Sequence, residues 1–240
     1  VVYSCRGEHE KADGLVSRWE ETREEGAMIC VSLPAFSYED VREALGSVEF
    51  AEIRLDKNGL TVEDLKKLFS TSPVPLIATC RPGTKPDEER LALLAAAVES
   101  GAAYVDVEST SSPEYFETVR KLAREKGCKL IGTYHNLQET PMKLVLAQVI
   151  EELFDRGADI AKVVCRVRNI QECSRLLSLY ETKKNILALG LGELGVLTRI
   201  AAPFLGAPFT YAALAPGKET AEGQPDLETL KALMVLLKRV

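Results

Sequence analysis

The stretch A-D-I-A-K-V-V, residues 158–164, sets Lys162 among the apolar side chains of Ile160, Val163 and Val164. The run reads as a short buried strand, where an ammonium group is costly unless it is paired or gives up its proton. Burial lowers the pKa of a lysine, and a neutral amine on a rigid strand is a nucleophile for carbonyl carbon. A lysine whose stem snorkels to water from an edge strand fits the same residues, and this fragment does not separate the two. The second reactive group is His135, at the end of I-G-T-Y-H; the other histidine, His9, lies in a polar N-terminal stretch. An amine and an imidazole together suit Schiff-base chemistry without a metal. The amine adds to a ketone, a general acid/base moves protons through the carbinolamine to the imine, and the iminium acidifies the neighbouring C–H. A leaving group β to the carbonyl can then depart, or a carbon–carbon bond can break.

These two residues have polar company. Side chains alternate along a strand. In E-I-R-L-D, Glu52, Arg54 and Asp56 therefore take one face and Ile53 and Leu55 the other. Thr79 and Arg81 oppose Ala78 and Cys80, Asp106 and Glu108 oppose Val105 and Val107, and Thr133 shares its parity with His135. One strand ending in charge is the ordinary onset of a loop. Successive strands sending charged groups to one face describe either a structural ion network or a polar lumen around Lys162, because a sealed apolar core does not tolerate that set unpaired. Near the end of the chain, G-L-G-E-L-G-V-L-T-R places three glycines before Arg199. An arginine on the first turns of a helix there would clamp a carboxylate. The segment 217–224, G-K-E-T-A-E-G-Q, reads as a polar loop or a lid.

The elements that must hold these groups follow a regular rhythm. Strands are expected at Ile29–Leu33, Phe50–Leu55, Pro75–Cys80, Ala103–Val107, Lys129–Tyr134, Asp159–Val164, Asn185–Leu189 and Pro208–Tyr211. Amphipathic helical patterns fall at 38–46, 61–70, 87–100, 113–126, 141–156, 170–183, 195–202 and 226–238. Thr61 with Asp64 has capping-box spacing, Pro113 and Pro141 sit near first turns, and Gly101, Gly127 and Gly157 follow helix ends. Eight strand–helix units in one domain over 28–240 predict a (β/α)8 TIM barrel, with an open doubly wound sheet as the alternative. No G-x-G-x-x-G follows the first strand, which weakens a dinucleotide-binding version. Residues 1–27 read as an N-terminal extension with helical character around 14–25.

Composition sets outer bounds. Of the 240 residues, 46% are apolar, enough for a sizeable core. A net charge of −6 with no long basic run gives no footprint for nucleic acid. Apolar stretches stop short of a membrane span and no export pattern opens the chain. The six cysteines show no C-x-x-C pair and no zinc spacing, so they are expected to be reduced, buried thiols in a cytoplasmic protein. No metal and no cofactor is expected.

On E-I-R-L-D, A-T-C-R, Y-H followed by Thr140–Pro141, G-A-D-I-A-K, G-V-L-T-R, P-F-T-Y-A and T-A-E-G-Q, the chain resembles the type I 3-dehydroquinate dehydratases from about Met28 to its end. The resemblance implies a TIM barrel, usually a homodimer, that dehydrates 3-dehydroquinate to 3-dehydroshikimate by syn elimination in the shikimate pathway. It makes Lys162 the imine-forming lysine and His135 the general acid/base. Glu52 and Arg54 become the pair that orients the substrate hydroxyls, with Arg81 in the same polar wall. Arg199 becomes the carboxylate anchor, Thr220 and Gln224 the lid contacts, and Tyr211 the aromatic bordering the ring. Leu191 stands where the family often has methionine, and Glu222 replaces the proline of the usual lid. Asp87 and Glu88, after the Arg81 strand, have no assigned role. A class I aldolase or transaldolase would also use a barrel lysine, but those bind phosphate where this chain offers one arginine and a Gln-bearing lid. A catalytically idle barrel kept for binding would have a lumen whose charges pair off completely.

Overall fold

The computed structural model describes residues 28–34, 37–182 and 184–238; the expected extension over residues 1–27 lies outside these. Strands and helices alternate as β1 (Ile29–Leu33), α1 (Tyr38–Leu45), β2 (Ala51–Arg54), α2 (Val62–Thr71), β3 (Leu76–Thr79), α3 (Asp87–Glu99), β4 (Tyr104–Glu108) and α4 (Pro113–Glu125). They continue as β5 (Lys129–Asn136), α5 (Lys143–Asp155), β6 (Ile160–Arg166), α6 (Ile170–Leu177), β7 (Ile186–Leu191), α7 (Val196–Ala201), β8 (Thr210–Ala213) and α8 (Leu227–Lys238). The strands form one sheet in the order β7-β6-β5-β4-β3-β2-β1-β8, and the architecture is a (β/α)8 barrel.

Contacts gather in two compact groups. The first, from 34–107 and 111–130, carries β2, β3 and most of β4. Within it β2 and β3 run parallel with Glu52 beside Ile77 and Arg54 beside Thr79. Two capping boxes start its helices: Ser37 with Asp40 at α1 and Thr61 with Asp64 at α2. On α2 the apolar residues Leu65, Leu68 and Phe69 recur three and four apart and are all buried, which fixes the face turned to the strands. Asp87 proves structural. It pairs at 2.5 Å with Arg90, a fully buried arginine whose guanidinium also donates to the Cys80 carbonyl and lies 4.6 Å from the Tyr115 ring centroid.

The second group, from 28–33, 108–110 and 131–238, carries β1, nearly all of β5, and β6 to β8. Parallel pairing sets Thr133 beside Lys162 and Lys162 beside Leu187. β8 pairs with β1, Tyr211 beside Cys30. Five strands, β4 to β8, run one or two residues past their expected ends. The β5–β6 ladder continues through His135 with Val164 and Asn136 with Cys165, so His135 stands inside its strand rather than after it. The expected helix 170–183 stops at Leu177 and tightens into a 3₁₀ turn over Ser178–Thr182, where the Tyr180 hydroxyl accepts from Ala188 N at 2.9 Å and ties the turn to β7. Gly101, Gly127 and Gly157 all take positive φ at helix ends, as their positions implied.

Among the described residues no helix is long and apolar enough to cross a membrane. Cys30, Cys80, Cys128, Cys165 and Cys173 are free and buried. Burial pushes the Cys80 thiol up to about 11 and Cys165 to about 12, so neither is a reactive thiolate.

Candidate active site

Lys162 is 3% exposed on β6, so the snorkelling reading falls. Its Nζ donates to Tyr211 Oη at 3.1 Å and sits 4.4 Å from the centroid of that ring. Tyr211 is buried on β8 and braced edge-on by Phe209, ring centroids 5.5 Å apart. On β5, Thr133 is the register partner of Lys162, so the two side chains share a face and His135 follows on that face two residues further along. The imidazole is held from behind. Nδ1 of His135 lies 2.7 Å from Glu108 Oε2, while the His135 backbone N–H donates to Glu108 Oε1 at 3.2 Å. A carboxylate there favours the Nδ1–H tautomer, in which Nε2 is the ring nitrogen able to accept a proton. The sequence reading gave Glu108 no place beside His135. Its parity with Asp106 was legible, but its partner is 27 residues away and only folding brings them together.

Arg199 lies on α7, 2% exposed. Its Nη2 donates to the Gly190 carbonyl at 3.3 Å, and its buried Nε has no partner. Burial pushes the guanidinium down to about 10, with the nearby Tyr211 oxygen acting in the opposite direction. A buried cation with an unused donor is the state that a ligand carboxylate relieves. The turn beneath it is tightly built. Thr198 Oγ1 accepts from Gly190 N at 2.7 Å and donates to the Gly195 carbonyl at 2.6 Å. A Cβ on Gly195 would meet the Gly190 carbonyl carbon at 2.5 Å, so the glycines allow a close backbone approach that any side chain would prevent.

The 217–224 segment lies on this turn. Gly192 N donates to the Glu222 carbonyl at 3.2 Å, and a Cβ on Gly223 would come within 2.1 Å of the Gly192 carbonyl oxygen. Thr220 donates from N and Oγ1 to Gln224 Oε1 at 2.9 and 3.0 Å, so the two residues brace each other. Glu222 pairs with Arg166 of β6 at 2.8 Å. This ion pair is partly exposed and contributes at most about 1 kcal/mol, yet it gives the acidic departure in the lid a partner on the Lys162 strand.

The first group carries its own polar cluster. Thr79 Oγ1 donates to Glu52 Oε1 at 2.9 Å, both buried. Arg54 makes a two-pronged pair with Asp56, Nε to Oδ1 at 2.9 Å and Nη2 to Oδ2 at 2.6 Å. Burial alone would lower the Arg54 pKa, but the Asp56 bond and the charges of Glu52, Asp56 and Asp106 outweigh it and hold it raised. Arg81 is half-buried with its Nε unpartnered.

Residues 29–239 match the family described as type I 3-dehydroquinase. The chain belongs to that family. Among curated members, the 3-dehydroquinate dehydratase of Desulfotalea psychrophila is 31% identical over 220 residues, spanning 85% of this chain and 96% of its own. That of Pyrococcus abyssi is 33% identical over 220 residues, spanning 88% and 98%. Solved structures agree on the fold. The type I 3-dehydroquinate dehydratase of Clostridium difficile, crystallised with covalently modified comenic acid, superposes with a TM-score of 0.79 at 22% identity over 89% of this chain and 93% of that one. The Geobacillus kaustophilus enzyme gives 0.80 at 23% identity, over 90% and 92%. The structure gives this family member a buried amine at Lys162, an imidazole tied to a carboxylate at His135–Glu108 and a buried guanidinium at Arg199.

Proposed function

We propose that this chain is a 3-dehydroquinate dehydratase, a hydro-lyase that removes water from 3-dehydroquinate by syn elimination through a lysine imine, with the activity carried by residues 28–240. Family membership supports the activity, and the burial of Lys162 beside Tyr211 supports that lysine as the nucleophile. The amine forms a C=N bond to the ketone carbon and the ketone oxygen leaves as water. The iminium draws electrons from the adjacent carbon, whose proton His135 takes. The protonated His135 passes that proton to the β-hydroxyl, which departs as water and leaves a carbon–carbon double bond, and hydrolysis of the imine frees the product. Glu108 keeps His135 in the tautomer that accepts. Arg199 anchors the carboxylate, with Thr220 and Gln224 as lid contacts and Tyr211 beside the ring. Glu52, Arg54 and Arg81 are assigned to the substrate hydroxyls. The test is borohydride reduction in the presence of substrate or product, expected to add a covalent mass that maps to Lys162. Modification elsewhere, or none, overturns the imine.

An idle barrel requires complete pairing of charges, and the unpartnered Nε of Arg199 argues against it. An aldolase gains no support from the family match.

The Arg199 assignment makes its own prediction. A lysine keeps the charge but not the two-pronged fork. Arg199→Lys should therefore lose about 1.5–3 kcal/mol of carboxylate binding, roughly tenfold to a hundredfold in KM. Steady-state kinetics with KM within twofold of the parent enzyme would move the anchor elsewhere.

We assign a homodimer in the cytoplasm. Met142, Leu144 and Val145 at the start of α5 and Ile170 at the start of α6 are exposed apolar side chains that a second copy would cover. Leu144→Glu should shift the protein from dimer to monomer in sedimentation equilibrium; a monomeric parent protein at micromolar concentration refutes the assignment. Buried free thiols support a reducing compartment.

A further inference from the structure

Resting on the imine reading above, we infer that the Tyr211 hydroxyl is a proton-transfer group for the Lys162 nitrogen. Two observations carry it. Tyr211 Oη accepts a hydrogen bond from the reacting nitrogen itself at 3.1 Å. The hydroxyl is fixed, since its ring is buried, braced by Phe209 and anchored to a strand whose register places Tyr211 beside Cys30.

The step balances as follows. The Nζ lone pair forms the N–C bond, and the carbonyl π pair becomes an alkoxide. Nitrogen must now lose one proton and oxygen gain one. The Tyr211 oxygen takes the N–H proton as its own O–H proton passes to the alkoxide, and the phenol is restored. The Arg199 charge acts on the Tyr211 oxygen and stabilises negative charge passing through it. A tyrosine that merely walls the site would need only its ring, which already lies against the Lys162 nitrogen. The two roles therefore separate on removal of one oxygen atom.

Tyr211→Phe keeps the ring and deletes the hydroxyl. The experiment is rapid-quench borohydride trapping with 3-dehydroquinate, on the parent enzyme and on the variant. If the parent enzyme is not labelled at Lys162, the imine reading itself fails. With the parent labelled, Tyr211→Phe is expected to form the trapped adduct at least tenfold more slowly while binding an unreactive carboxylate analogue as the parent does. A trapping rate within twofold of the parent overturns the proposal. Should the variant not fold, 3-fluorotyrosine at position 211 gives the second reading. A more acidic phenol should move the alkaline limb of the trapping rate to lower pH, and an unmoved profile overturns the proposal equally.

Discussion

Lys162→Met is expected to abolish turnover, by at least about 10⁴-fold in kcat, because a chain without its nucleophile retains only binding and polarisation. Methionine keeps most of the lysine volume without the charge, and replacing a buried charge with an apolar side chain of similar size is often neutral for stability. The variant should therefore fold, with a melting temperature near that of the parent. Following the dehydration by absorbance of the conjugated enone gives the rate, and mass spectrometry after borohydride should show no adduct. Residual activity above about one per cent of the parent would require another nucleophile or a route without an imine. The effect has to be this large for a geometric reason. Lys162 is the amine that β6 presents, 3% exposed, on the face it shares with Thr133 and His135.

His135→Ala should separate the two halves of the reaction. Removing a general acid/base costs typically about 10²–10⁴-fold, and the loss should appear in kcat because the proton is taken after the imine has formed. The variant should still be labelled at Lys162 by borohydride, since the Tyr211 hydroxyl remains hydrogen-bonded to that nitrogen. Glu108→Gln should fall between parent and His135→Ala. The amide can still accept from Nδ1, but it loses the charge that supports a protonated imidazole. Near-normal turnover in His135→Ala would remove the histidine from the scheme, and loss of labelling would show that it also serves the nitrogen.

The Lys162 stretch, the alternation of strand and helix, and the parity of polar residues were legible because each is a local property. A charge among β-branched neighbours, a capping pair three residues apart and a period of two all lie within a few positions of one another. That was enough to predict the barrel and to put Lys162 within a strand, His135 after one and Arg199 on the first turns of a helix. Strand ends were less legible. The extension of β5 through His135 depends on hydrogen bonds to β6, which no property of I-G-T-Y-H encodes.

Amino-acid order alone thus determined which groups exist, which face of each strand carries them and which chemistry an amine with an imidazole can do. Folding decided their partners. The tie of Glu108 to His135, the hydroxyl of Tyr211 on the amine of Lys162, the lid glutamate on Arg166 and the unused Nε of Arg199 join residues 27, 49 and 56 positions apart or arise from burial around one. Such pairings are set by strand register and by the packing of distant segments, and a sequence pattern a few residues wide has no access to either.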